Sequence, residues 1–136
     1  MRYLAIDYGK KRTGIAITDP LQLIASGLET VPTDDLLPYL ERYLAREEVA
    51  CLVIGEPRRM DYTHSEVEPD IRAFIARVQE RFPHLPVARQ DERFTSKMAA
   101  RSLVEGGMKK KKRREKALLD EVSAVLILQS YLERNE

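Results

Sequence analysis

The chain has 136 residues, of which 43% are hydrophobic and 33% are charged, and its formal net charge is +1. This length fits one domain over residues 1–136, and no apolar run approaches the roughly 20 residues of a transmembrane helix. Because Cys51 is the only cysteine, an internal disulfide is excluded, and with no signal-peptide pattern at the N-terminus we expect a cytoplasmic protein.

Two short apolar runs near the N-terminus predict a β-hairpin. They cover residues 3–7 and 15–19, on either side of the glycine-bearing segment Tyr8–Gly14. Leu21–Thr30 has mixed apolar character, which predicts a third antiparallel strand. The first strand ends in Asp7, and a carboxylate disfavours a strand, so Asp7 either caps the turn or belongs to a functional site.

Beyond the hairpin, helical and strand patterns alternate along the chain. The predicted elements are a helix over 36–44, a strand over 51–55, a helix over 67–82, a strand over 87–90, a helix over 97–104 and a helix over 117–132. The order β-β-β-α-β-α-β-α-α predicts an α/β fold with a mixed five-stranded sheet and helices on both faces.

Three acidic residues stand where predicted elements end or begin. Asp7 ends the first predicted strand, Glu92 follows the strand predicted over 87–90, and Asp120 lies in the first turns of the last predicted helix. Ligands of such sheets bind at the carboxyl ends of the strands, so we expect these carboxylates to converge. Mg²⁺ prefers oxygen ligands, and two such ions can activate water and stabilise the leaving oxygen of a phosphodiester. These three residues are therefore the catalytic and metal-binding candidates.

The acidic candidates also have simpler interpretations. Asp120 could be a helix-terminal charge, but it shares a helix face with Ala124 and other apolar residues, so we expect it to face inward. Its neighbour Glu121 is predicted to lie on the polar side of the helix. Asp91 competes with Glu92, and because adjacent strand residues point to opposite faces, we expect only one of them in the site.

Residues 109–114 are six consecutive cations on a nearly neutral chain. One interpretation is a solvated loop, which is usual for like-charge runs. The other is a clamp for nucleic-acid phosphates, which supplies affinity with little sequence information. The nucleic-acid-binding candidates are Lys10, Lys11, Arg12, Arg58, Arg59, Arg93, Lys109, Lys110, Lys111, Lys112, Arg113 and Arg114.

Four segments, in order along nearly the whole chain, resemble the motifs of one known family. Residues 5–16 resemble the opening motif of the YqgF family, residues 55–61 its Gly-Leu-Pro loop, residues 91–96 its Asp-Glu-Arg-Leu-Thr motif, and residues 116–132 its C-terminal helix. Members of this family are RNase H-like proteins described as Holliday junction resolvases or pre-16S rRNA nucleases. Two residues depart from the pattern: Glu56 stands in place of an apolar residue and Tyr62 in place of a glycine.

The resemblance implies an RNase H-like nuclease that depends on Mg²⁺ or Mn²⁺ and trims the 5′ end of precursor 16S rRNA during ribosome assembly. The family's acidic triad falls on Asp7, Glu92 and Asp120. The implied partners are structured RNA, alone or within a ribosomal particle, or branched DNA, with no membrane. We expect a monomer or weak dimer.

Three other functions stay open on the sequence alone. Resolution of four-way DNA junctions requires two symmetric cuts, and hence a dimer. The hairpin that carries Asp7 and Gly9 also resembles the phosphate loop of actin-like and sugar kinases, although those proteins enclose ATP between two domains. A non-catalytic RNA-binding or transcription-associated factor would use the same carboxylates only for structure.

Overall fold

The structure is a computed structural model that describes residues 1–56, 66–91 and 112–134. The described strands are β1 (Arg2–Asp7), β2 (Arg12–Thr18), β3 (Ala25–Pro32), β4 (Val49–Glu56) and β5 (Val87–Asp91). The described helices are a short 3₁₀ turn (Thr33–Asp35), α1 (Leu36–Leu44), α2 (Glu68–Arg81) and α3 (Lys112–Arg134). The helix predicted over 97–104 lies outside the described residues.

The strands form one mixed sheet in the order β3-β2-β1-β4-β5. Strand β1 is central: it pairs antiparallel with β2 and parallel with β4, which in turn pairs parallel with β5. The last residues of β1, β4 and β5 therefore lie at the same end of the sheet, which we call the carboxyl end. The predicted mixed five-stranded α/β fold is confirmed.

Helices cover both faces of the sheet, as predicted. On one face, α1 and α2 pack against large aliphatic side chains such as Leu4, Ile6 and Ile54. On the other face, α3 contacts all five strands and packs against small residues, among them Ala5 and Ala16. These small side chains allow α3 to lie close to the sheet. None of the described helices combines the length and apolar character needed to cross a membrane.

The third strand begins later than the sequence predicts. Strand β3 starts at Ala25, whereas the preceding residues form a turn around the carboxylate of Asp19. That carboxylate accepts hydrogen bonds from the backbone N–H groups of Leu21, Leu23 and Ile24 at 3.1, 2.7 and 2.7 Å. A short acidic side chain that binds nearby backbone groups favours a turn over a strand, and this local effect overrides the apolar pattern.

The last helix begins earlier than the sequence predicts, at Lys112 instead of residue 117. Lys112, Arg113 and Arg114 therefore belong to its first turn and not to a preceding loop. Asp120 lies in its third turn, so the helix-terminal interpretation of this carboxylate is wrong, because the helix dipole acts mainly within the first and last turns.

Candidate active site

The central strand carries Asp7 to the carboxyl end of the sheet. Ala5, two residues earlier, packs against α3, whereas Ile6 packs in the core on the opposite face. Since strand side chains alternate, Asp7 lies on the same face as Ala5, beneath α3. The first acidic candidate is therefore on the face that the Asp120 helix covers.

Thr33 fixes the turn that follows Asp7. Its hydroxyl donates to the carbonyl oxygen of Gly9 at 2.6 Å and lies 3.0 Å from the hydroxyl of Thr13, and its backbone N–H donates to the carbonyl oxygen of Lys11 at 3.0 Å. A Cβ atom at Gly9 would lie 2.4 Å from the carbonyl oxygen of Arg12, so the turn requires glycine there. Sequence reasoning assigned Thr33 no part in the site, since this residue only precedes the helix predicted over 36–44.

Helix α3 passes so close to β2 at Gly14 that a side chain would not fit. A Cβ atom at Gly14 would lie 2.0 Å from the carbonyl oxygen of Asp120. Gly14 is also the strand partner of Asp7. Asp7 and Asp120 therefore come together on one face at the carboxyl end of the sheet, although they are 113 positions apart in the chain. Sequence reasoning missed this role of Gly14, because it placed Gly14 in the turn before the second strand, whereas the structure has it within β2.

The carboxylate of Asp120 is half-buried and paired with Arg12. The Asp120 side chain is 23% exposed, and its Oδ2 accepts a hydrogen bond from Nε of Arg12 at 2.9 Å. Burial raises the pKa of Asp120, and the Arg12 guanidinium opposes that rise. Asp120 faces inward, as predicted. Arg12 is the first residue of β2 and binds a carboxylate, whereas the sequence placed it in the segment between the first two strands.

Glu121 does not lie on the polar side of α3, so that prediction is wrong. Its side chain is half-buried, and its Cβ would lie 3.4 Å from a Cβ atom at Gly27 of β3. Burial raises the pKa of Glu121, and the nearby carboxylates of Glu29 and Asp120 add to the rise. Gly14 of β2 and Gly27 of β3 have no side chains, so α3 lies close to the sheet at both positions. Glu121 is therefore partly buried between α3 and β3.

A buried ion pair occupies the opposite face at the carboxyl end. Glu68 at the start of α2 accepts hydrogen bonds from Arg89 of β5, with Nη2–Oε1 at 2.6 Å and Nη1–Oε2 at 3.2 Å. Arg89 also donates to the carbonyl oxygens of Ile54 at 3.3 Å and Gly55 at 3.0 Å. Burial alone would raise the pKa of Glu68, but hydrogen bonds and charges from Arg89 and Arg72 hold it below its usual value. The pair joins α2, β4 and β5.

The end of β5 fixes the direction of Asp91, one of the two competing acids. The side-chain oxygen of Gln90 accepts a hydrogen bond from Arg134 of α3 at 3.3 Å, so Gln90 lies on the α3 face. Asp91, the last residue of β5, points to the opposite face by strand alternation. Asp91 is therefore turned away from the face that holds Asp7 and Asp120.

The remaining candidates fall into groups by where they lie in the fold. Lys10 and Lys11 are exposed in the turn between β1 and β2, and Glu56 is the last residue of β4. The candidates outside the described residues are Glu92, Arg58, Arg59, Arg93, Lys109, Lys110 and Lys111, as is Tyr62.

The donor chemistry of Asp7 and Asp120 suits a hard divalent cation such as Mg²⁺ or Mn²⁺, which prefers carboxylate oxygens. Within the ranges 1–56, 66–91 and 112–134, no group of three His, Cys, Asp or Glu side chains could hold a metal ion. The described part of the chain thus contributes two converging carboxylates, and a complete metal site would need a further ligand.

A family model described as "RuvX: Holliday junction resolvase" matches residues 1–134. Among curated proteins, a "Putative pre-16S rRNA nuclease" from Porphyromonas gingivalis is 57% identical over 132 residues, which cover 97% of this chain and 96% of that protein. A protein of the same description from Christiangramia forsetii is 55% identical over 131 residues, which cover 96% of this chain and 97% of that protein.

Solved structures show the same fold at low sequence identity. The structure "T. thermophilus RuvC in complex with Holliday junction substrate" has a TM-score of 0.58 and 19% sequence identity, with 99% of this chain and 96% of that chain covered. A second Thermus thermophilus RuvC structure gives a TM-score of 0.54 at 19% identity and covers 99% of this chain and 97% of that one. The likeness supports the RNase H-like arrangement of the sheet and its helices.

Proposed function

The chain belongs to the RuvX family, which is the YqgF family of the sequence resemblance, and we propose that it is a metal-dependent endonuclease that processes the 5′ end of precursor 16S rRNA in ribosome biogenesis. Its relatives' description as pre-16S rRNA nucleases supports the substrate. We further propose that residues 1–136 form one nuclease domain and that it works in the cytoplasm.

One observation carries the nuclease proposal: the packing of Asp120 onto Gly14, the strand partner of Asp7. Like charges that lie close together on a partly buried face repel each other, so two carboxylates on one face need a reason. A phosphodiesterase site supplies one, because divalent cations held by carboxylates can bind the phosphate that is attacked. A structural role for either carboxylate would not require the second one to be adjacent.

The proposed catalytic set is Asp7, Glu92 and Asp120, with Mg²⁺ or Mn²⁺ as cofactor. We choose Glu92 over Asp91 because Asp91 faces away from α3, although Glu92 itself lies outside the described residues. When bound, two divalent ions would supply an activated water and charge stabilisation for the leaving oxygen. The protein's part is to orient the carboxylates: Asp7 from the rigid central strand and Asp120 from α3, which Gly14 lets sit against the sheet.

The proposed nucleic-acid contacts come from cations around the same end of the sheet. Lys10 and Lys11 are exposed on the turn directly after Asp7, where they can neutralise phosphates next to the cleaved bond. Lys112, Arg113 and Arg114 begin the helix that carries Asp120. Contacts of this kind position a polyanion without reading its sequence, so we propose that RNA shape and the ribosomal particle supply the specificity.

The test is cleavage of end-labelled precursor 16S 5′ leader RNA in Mg²⁺, Mn²⁺ or EDTA. We compare wild type with Asp7→Asn, Asp120→Asn and Asp70→Asn, the last being a control on an exposed aspartate of α2 on the other face. Cleavage that requires metal, is lost in the first two variants and is kept in Asp70→Asn would support the proposal. Cleavage kept by folded Asp7→Asn would contradict it, and RNA binding without cleavage by wild type would favour a non-catalytic factor.

Resolution of four-way DNA junctions is the second candidate, and the description of the matching family model favours it. Two symmetric cuts would require a two-fold dimer. A synthetic four-way junction, run beside the RNA, separates the two functions when the molar mass in solution is measured by light scattering. Junction cleavage by a dimer, without RNA cleavage, would replace the rRNA proposal. Our prediction of a monomer or weak dimer is tested in the same experiment.

A further inference from the structure

Arg12 makes an ion pair that differs from those of a fixed structural arginine. It reaches Asp120 through a single hydrogen bond, from Nε to Oδ2 at 2.9 Å. Its side chain is 42% exposed, whereas that of Asp120 is 23% exposed. The cation therefore approaches the carboxylate from the solvent side and keeps contact with water.

The same carboxylate oxygen is one that a divalent metal ion would use. A guanidinium and a metal ion at Oδ2 oppose each other, because both are cations and the bond from Nε already uses one of the lone pairs of this oxygen. A partly exposed ion pair is also weak, typically about 0–1 kcal/mol, so it can be replaced easily. Asp120 is thus held by a cation that a stronger one can displace.

We propose that Arg12 competes with the metal for Asp120, holding this carboxylate in the metal-free protein and turning to a substrate phosphate once metal binds. The inference rests on the proposed metal-dependent function and adds to it a residue that changes partners. The flat guanidinium presents five N–H donors and suits phosphate oxygens as well as carboxylates. Because Arg12 begins β2 directly after the turn of Lys10 and Lys11, its release would add a cation beside these two lysines.

Competition between Arg12 and the metal predicts the direction in which metal affinity changes when Arg12 is removed. If Arg12 occupies Asp120 only in the metal-free state, its removal strengthens metal binding. An ion pair of about 0–1 kcal/mol corresponds to a change of up to about fivefold in the metal dissociation constant. If Arg12 instead only orients Asp120 for the metal, its removal weakens metal binding. The two roles therefore predict opposite changes.

The experiment titrates the full-length protein with Mn²⁺ alone, by calorimetry, without nucleic acid. It compares wild type with Arg12→Gln, which is neutral, polar and shorter, and with Arg12→Lys, which keeps the charge. Lys11→Gln is the matched control, because it removes an exposed cation of the same turn. We expect Arg12→Gln to bind Mn²⁺ about two- to fivefold more tightly, with smaller changes in Arg12→Lys and Lys11→Gln.

A second measurement tests whether the guanidinium of Arg12 contacts RNA once a metal ion has released it from Asp120. Binding of the leader RNA is measured in Ca²⁺ and in EDTA, and Arg12→Gln should weaken it in Ca²⁺ but not in EDTA. Unchanged or weaker Mn²⁺ binding by Arg12→Gln, beside a wild type that binds Mn²⁺, would overturn this inference alone. An equal gain in Lys11→Gln would do the same, since it would show a general effect of charge. A wild type that binds no Mn²⁺ would overturn both this inference and the proposed function.

Discussion

Two arginine–carboxylate pairs lie at the carboxyl end of the sheet, one on each face. Glu68 and Arg89 are 2% and 24% exposed, and Arg89 also holds two carbonyl oxygens of β4. Asp120 and Arg12 are 23% and 42% exposed and share one hydrogen bond, from Nε to Oδ2. The same chemistry thus has two uses: a buried pair with many bonds fixes structure, and an open pair with one bond leaves its members available to other partners.

The largest effect expected from this comparison is on stability. Arg89→Ala should lower the free energy of unfolding by about 3–5 kcal/mol, because it leaves the buried Glu68 carboxylate without its main partner. Arg12→Ala should lower it by no more than about 1 kcal/mol, since its pair is partly exposed. Urea denaturation at neutral pH measures both.

Arg72→Ala is the matched control for this prediction. Arg72 bonds the same Glu68 oxygen from Nε at 3.3 Å, but its side chain is 64% exposed. We expect a loss of less than about 1 kcal/mol. Similar losses for the Arg12, Arg72 and Arg89 variants would show that burial does not distinguish the two pairs.

Next in size is the effect of a methyl group between α3 and the sheet. Gly14→Ala would place Cβ 2.0 Å from the backbone oxygen of Asp120, so α3 has to move. We expect a loss of about 1–3 kcal/mol, as for other overpacked sites, together with loss of metal-dependent cleavage. Unfolding in urea and the leader-RNA assay measure the two effects.

Gly27→Ala tests whether the position of the glycine matters. Its Cβ would lie 3.4 Å from Cβ of Glu121, which is ordinary contact, so stability should change by no more than about 0.5 kcal/mol and cleavage should persist. If alanine were tolerated equally at both glycines, α3 would not be held against β2 in the way that brings Asp120 to Asp7.

A smaller effect is expected at Thr33, which holds the turn after Asp7. Thr33→Val removes the hydroxyl that donates to Gly9 at 2.6 Å and lies 3.0 Å from Thr13, and it should cost about 1 kcal/mol. Thr33→Ser keeps the hydroxyl and should lose less. Denaturant midpoints compare them, and equal losses would mean that the methyl group and not the hydrogen bond holds the turn.

The sequence predicts this fold well where the signal is local. Continuous apolar runs indicated β1 and β4, and residues 36–44 form the predicted helix. Asp7 was singled out because a carboxylate is unfavourable at the end of an apolar strand. Both the strand pattern and the exception at Asp7 depend only on a few neighbouring residues, so they can be recognised without knowing which distant segments are in contact.

The contacts that build the site join residues that are far apart in the chain, and they could not be predicted from the sequence. Arg12 and Asp120 are 108 positions apart, and nothing in the chain marks them as partners. Arg12 was therefore grouped with the phosphate-binding cations. In the same way, Glu121 was placed on the polar side of the helix, because nothing in the sequence shows that it packs over Gly27 of β3, where the missing side chain leaves room for it.

The smallest expected effect is on the pH dependence of stability. It tests whether the buried pair of Glu68 and Arg89 stabilises the fold through its charges. The pKa of Glu68 lies below its ordinary value of 4.5, so the folded state favours the carboxylate. Its contribution to stability is therefore present above about pH 4.5 and is lost as the pH falls through the lowered pKa. Glu68→Gln removes this contribution, so the stability difference between wild type and variant should be largest at neutral pH and shrink in acid.

Asp19→Asn gives a graded comparison for the pH prediction. Backbone hydrogen bonds, that of Ile24 first, lower the pKa of Asp19, but this side chain is more open to solvent than the buried Glu68. The sign is the same as for Glu68, and the change with pH should be smaller because water screens the charge. Urea denaturation from neutral pH into acid measures both variants. A difference for Glu68→Gln that stays constant with pH would show that Glu68 stabilises the fold by packing and neutral hydrogen bonds, and the contrast between the two arginine pairs would then rest on burial alone.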